Sequence, residues 1–96
     1  MGEIDNLINF LKKKGFRDTL QVLVQFKDYK TDIHTFYKEL NIISYYNSFF
    51  RVKDELLKTK LVSIEIFKGK KYITLTKKGI DVYHKLIEIN ELINQK

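Results

Sequence analysis

Asn47 and Arg51 stand one helical turn apart near the middle of the chain, with Tyr46 and Ser48 beside Asn47. An asparagine amide pairs in bidentate fashion with adenine, and an arginine fork does so with guanine or grips a phosphate. Tyr46 and Ser48 add hydroxyls that reach base edges or phosphate oxygens from the flanks, and Lys53 adds a charge on the Tyr46 side. Further along, Lys68, Lys70 and Lys71 surround Gly69. Three point charges at one turn suit backbone phosphate, which positions a protein without specifying a sequence.

Charge is concentrated in the same region. Residues 51–85 hold ten basic and four acidic side chains, a net +6, and the whole 96-residue chain is also +6. Such an excess is a footprint for a polyanion.

The elements that must carry these residues follow from spacing. Glu3 to Lys14 predicts an amphipathic helix through Ile4, Leu7, Ile8 and Leu11, with Gly15 as its terminator and Lys12 to Lys14 as solvated complements of the helix dipole. Arg17 to Phe26 predicts a second, buried helix through Leu20, Leu23, Val24 and Phe26. After a polar connection at Lys27 to Lys30, Thr31 or Asp32 caps a third helix (residues 32–40) that turns Ile33, Phe36, Tyr37 and Leu40 inward. Asn41-Ile42-Ile43 reads as a three-residue connection with an apolar plug, and Ser44 as the cap of a fourth helix (residues 44–59).

At 100° per residue, Tyr45, Phe49, Val52 and Leu56 share one face of that fourth helix, and Asn47, Arg51, Asp54 and Lys58 share the opposite one. Tyr46, Phe50, Lys53 and Leu57 form a flank beside which a hairpin is expected to pack. Alternation from Val62 to Phe67 and again from Lys71 to Thr76 predicts that hairpin (residues 62–75), with its tip at Lys68-Gly69-Lys70. Thr76 then caps a last helix (residues 77–94) whose Ile80, Tyr83 and Ile87 face inward. A second stripe, Val82, Leu86, Ile89 and Ile93, predicts a seam for another helix, either the chain's own first helix or its copy in a second subunit.

The run from Ser48 to Leu56 followed by Lys60-Leu61-Val62, and the run Leu75-Thr76-Lys77-Lys78-Gly79, together resemble the recognition helix, wing and entry to the dimerisation helix of winged helix-turn-helix transcription regulators of the MarR, PadR and ArsR type. The likeness covers about residues 32–86. It implies an α+β, mainly α fold with a two-stranded wing, and a helix from Ser44 that enters the major groove of double-stranded DNA. It also implies a homodimer through Val82, Leu86, Ile89 and Ile93. Where those regulators commonly place glycine before the Leu-Val pair this chain has Lys60, so the helix is expected to end without a left-handed cap.

Other classes fit the sequence less well. There is no cysteine, and His34 and His84 stand far apart without an acidic cluster, so neither a metal nor another cofactor is expected. The chain has no glycine-rich phosphate loop and no nucleophile with a nearby base, so it does not read as an enzyme. Its apolar runs fall far short of the roughly 20 residues needed to span a bilayer, and Met1-Gly2-Glu3 does not open a signal peptide, so a cytoplasmic, non-membrane protein is expected. A protein-docking winged helix, with Phe50, Leu57 and Phe67 as its patch, is the main rival. RNA binding ranks below it, because the aromatic residues follow core periodicity. No small-molecule effector is assigned.

Overall fold

The computed structural model describes residues 5–44 and 46–95, the side chains of Asn6 and Tyr46 apart. In chain order the elements are α1 (Asp5–Leu11), α2 (Lys14–Leu23), β1 (Lys30–Asp32), α3 (Ile33–Ile43), α4 (Tyr46–Lys58), β2 (Val62–Phe67), β3 (Lys70–Leu75) and α5 (Lys77–Asn94), with a 3-10 turn at Lys27–Tyr29 before β1. The sheet is antiparallel in the order β1-β3-β2. This is the architecture of a winged helix-turn-helix: α+β, mainly α, with flanking first and last helices, but its sheet has three strands where two are expected.

The core explains the order. Phe16, Leu20 and Leu23 of α2, Phe36 and Leu40 of α3, and Phe49, Val52 and Leu56 of α4 meet Val62, Ile73 and Leu75 of the sheet in one buried cluster. Each set recurs at the period of its own element, so burial of one face orients the whole element. Phe49 meets Phe36 edge to face, ring centroids 5.0 Å apart.

Several boundaries differ from the sequence expectation. Helix α2 begins at Lys14 and ends at Leu23, and Gly15 lies inside it rather than terminating α1. The reason is tertiary: any β-carbon at Gly15 would collide with the Ser48 carbonyl of α4. Glycine is what lets these two helices touch backbone to backbone. Helix α1 ends at Leu11 rather than Lys14, and Glu3 and Ile4 lie outside the described residues. Its Ile8 and Leu11 are exposed, and Phe10, stacked on Phe16 at 4.8 Å, is what ties it to the core.

Strand β1 falls in what reads as a polar connection. Asp28 and Tyr29 both take left-handed φ (58° and 57°), which turns the chain so that Lys30, Thr31 and Asp32 pair with Thr74, Ile73 and Tyr72. Asn41, Ile42 and Ile43 are not a connection. With no glycine or proline to stop it, α3 runs on to Ile43, and Ser44 ends it with its N–H on the Leu40 carbonyl at 2.8 Å. The expected apolar plug is therefore exposed, Ile42 at 75%.

Asp32 caps α3 as expected: its carboxylate accepts from the Thr35 N–H at 3.0 Å and the Thr35 hydroxyl at 2.7 Å. Those two hydrogen bonds, chiefly the hydroxyl one, hold the Asp32 carboxyl below its usual range, and the Lys70 ammonium adds to them against a small opposing effect of burial. A lowered folded-state pKa means the cap's full contribution is present above about pH 4 and is lost as pH falls through that lowered value. Replacing Asp32 by alanine is expected to cost about 1 kcal/mol at neutral pH. Urea titrations should show that deficit shrinking as the pH falls below the ordinary carboxylate range and the wild-type cap loses its charge.

Candidate nucleic-acid interface

Helix α4 is built as its periodicity requires. Phe49, Val52 and Leu56 are fully buried, while Asn47, Arg51, Asp54 and Lys58 are exposed on the far side. Tyr45 and the side chain of Tyr46 lie outside the described residues, so α4 carries the Tyr46 backbone in its first turn and nothing more is described of that residue.

Asn47, Ser48 and Arg51 come together with Lys14, Asn41, Ile42, Ile43 and Ser44 around an open cleft of about 780 Å³ at the start of α4. The Ser48 and Ser44 hydroxyls lie 3.0 Å apart, so the serine expected to cap α4 ends α3 and links it to α4's first turn. Lys14, expected to be a solvated complement of the helix dipole, lines that cleft with them. The Lys12 to Lys14 run is conspicuous, but only the packing of α2 on α4 carries one of its members beside Arg51. Lys53 stands on the other flank, half-buried, with its ammonium 5.9 Å from the Phe50 ring centroid. Phe50 packs toward Tyr37 of α3, at 5.7 Å between rings, so that flank finds an aromatic neighbour on α3. Burial raises the pKa of the Tyr37 hydroxyl above its ordinary range.

The far end of α4 is locked into the wing. Lys60 has φ 62°, its N–H bonds the Leu57 carbonyl at 3.1 Å, and the Leu61 N–H bonds the Leu56 carbonyl at 3.0 Å. This is the paired hydrogen bonding of a Schellman cap, made with lysine in the left-handed position usually given to glycine. The expectation that α4 stops without such a cap is therefore corrected: tertiary bonding holds lysine in the strained position. The Thr76 hydroxyl donates to the Lys60 carbonyl at 2.6 Å and accepts from the Gly79 N–H at 3.1 Å, which caps α5 as expected. A β-carbon at Gly79 would collide with the Leu61 carbonyl, so the Leu-Thr-x-x-Gly run is a clasp joining the start of α5 to the end of α4.

Lys68 and Gly69 form a two-residue hairpin turn with φ 52° and 77°, the pattern of a type I′ turn. Lys68, Lys70 and Lys71 are all exposed there. The cations of this region are not equivalent. Lys70 feels the Asp32 carboxylate. Lys78 donates to the Thr59 carbonyl at 2.8 Å, and Lys13 is bound to Glu55 of α4 at 2.6 Å. That last pair is half-exposed and worth no more than about 1 kcal/mol, so it pins the α1–α2 junction more than it stabilises it. It also corrects the reading of Lys13 as merely solvated.

Val82 and Leu86 of the seam are half-buried, and Ile89 and Ile93 are exposed, Ile93 at 74%. Leu7 and Leu11 of α1 border hollows that the stripe also lines, so the first helix runs alongside it and leaves Ile89 and Ile93 exposed. Among the described residues no group of side chains could hold a metal, and no helix is long and apolar enough to cross a membrane. Comparison of the chain with family models, with curated proteins and with solved structures gives no match.

Proposed function

We propose that this chain binds double-stranded DNA as a transcription regulator, with α4 in the major groove and the wing lysines on backbone phosphate. The observation that supports it most is the outer face of α4: Asn47 and Arg51 are exposed beside a cleft that also holds Lys14, and Arg51 opens the segment, residues 51–85, whose net +6 equals that of the chain. In this reading Asn47 and Arg51 contact base edges, and Ser48 and Tyr46 assist from the flanks. Lys53 contributes general attraction.

The test is a selection of preferred duplexes followed by single alanine replacements. Asn47→Ala and Arg51→Ala are each expected to lose about 1 to 3 kcal/mol at a preferred site and to relax sequence preference, with smaller losses on random DNA. Loss on all sequences alike would make them backbone contacts. No loss in a folded variant would favour the docking alternative, of whose patch Phe50 and Phe67 are exposed and Leu57 is half-buried.

The same reading includes a homodimer. Helix α5 has 18 residues, of which only Gly79 is buried, and it leaves Ile87, Ile89, Leu92 and Ile93 exposed. A two-fold pairing through Val82, Leu86, Ile89 and Ile93, assisted by α1, would cover that face in both copies and set two α4 helices about 34 Å apart on a palindromic site. Changing Leu86 and Ile89 together to lysine is expected to give a folded monomer with weaker DNA binding, read by sedimentation velocity and gel shift. A wild-type chain that sediments as a monomer at every concentration would refute the dimer.

A further inference from the structure

The wing carries two large apolar side chains that the fold does not use. Along β2 the inward positions are Val62, Ile64 and Ile66; the first is buried, the second half-buried and the third 70% exposed. The strand therefore outruns the body of the protein. Phe67, on the opposite face, is 60% exposed and is the last residue before the turn. Because β2 is an edge strand, this places two bare apolar groups where sheets ordinarily carry charge or proline.

Glu65 is the one carboxylate beside them on β2, and their cross-strand and turn neighbours are cationic. Lys71 is the cross-strand partner of Ile66, Lys70 is the partner of Phe67, and the Lys68 ammonium lies 5.4 Å from the Phe67 ring centroid. Gly69 completes the turn with no side chain and open space around it, so the tip is slim. An occupant must supply anionic groups on its rim and an apolar slot between them. The minor groove of a duplex does both: phosphates line its walls, and a base step opened by a few ångströms exposes two aromatic faces.

We infer that the hairpin tip is a wedge, with Phe67 inserting at a base step of the minor groove and the three lysines holding the flanking phosphates. This rests on the DNA reading above and adds to it a deformation of the duplex. Insertion of an apolar side chain partly unstacks the step and kinks the DNA by about 20 to 90°. Pyrimidine–purine steps deform most readily, so the wedge selects TA and CA/TG steps without hydrogen-bonding to them.

The experiment uses the intact chain and a short duplex carrying donor and acceptor dyes at its ends, with a fluorescent base analogue at a central TA step. Wild-type protein is expected to bring the dyes closer and to raise the analogue's fluorescence as its neighbour unstacks. Phe67→Ala should abolish both signals and weaken binding about tenfold, while leaving the salt dependence unchanged because no phosphate contact is lost. Phe67→Leu should retain most of the bend. Thermal melts should be the same for all three proteins, since Phe67 is outside the core. Tight binding to a straight duplex, or a bend that survives Phe67→Ala, overturns the wedge and leaves the DNA reading standing. Failure of the wild-type protein to bind any duplex overturns both. Capture of anionic phosphatidylserine vesicles in preference to duplex overturns the wedge and assigns the tip to a lipid surface.

Discussion

Replacing Gly15 by alanine is expected to destabilise the protein by about 3 kcal/mol and to lower its melting temperature by roughly 12 to 24 °C. Helix propensity alone argues the opposite, since alanine in place of a helical glycine gains up to about 1 kcal/mol. The contact decides the sign. A methyl group at Gly15 meets the Ser48 carbonyl, which is backbone in the first part of α4 and cannot swing aside as a long side chain would. The two helices must separate along their packed faces, opening the layer formed by Phe16, Phe49 and Val52. Against a total stability of about 5 to 15 kcal/mol this is a large fraction. Because Ser48 sits at that contact, next to Asn47 in the chain, the surviving folded fraction should also bind a preferred duplex less well than its concentration predicts. Circular dichroism melts and gel shifts on the same samples check both. An unchanged melting temperature would mean that α2 and α4 do not meet as described.

Replacing Lys68, Lys70 and Lys71 together by alanine is expected to weaken duplex binding on the order of 100-fold at moderate salt, and to do so for every sequence. Each neutralised phosphate contributes about −0.9 to the log–log salt slope, so the slope should flatten by about 2 to 3. The lower figure follows from Lys70, whose charge also acts on the Asp32 carboxylate within the protein. Single replacements should therefore rank Lys68 and Lys71 above Lys70. The hairpin itself should survive, because Gly69 and the cross-strand pairs Val62–Leu75 and Ile64–Ile73 set its register. If affinity and slope are both unchanged, the wing does not touch the duplex.

Local periodicity settled much about this protein in advance. The buried face of α4, the alternating strands of the wing, the tight turn at Gly69, and the caps at Asp32 and Thr76 each depend on residues within a few positions of one another. A side chain that must be buried or paired locally has few ways to achieve it, so pattern and structure agree. The candidate site was legible to the same degree: Asn47, Ser48 and Arg51 were separated from the core by helical period alone.

What the tertiary structure decided lies in contacts between distant segments. Strand β1 exists because β3 offers Lys30, Thr31 and Asp32 an edge to pair with, and three polar residues have no strand signal of their own. Gly15 looks like a helix terminator until Ser48 is placed against it. Lys60 holds a left-handed conformation because bonds to Leu57 and Thr76 outweigh its steric cost. Lys13 finds Glu55 across 42 positions, and Lys14 reaches the cleft beside Arg51 only because α2 lies along α4. The two stripes of α5 were visible as periodic patterns, but how far the chain's own α1 covers the second was fixed only by its placement, with Leu7 and Leu11 bordering hollows along the stripe while Ile89 and Ile93 stay exposed. Periodicity states which face of an element seeks cover; only the arrangement of elements in space determines what supplies it.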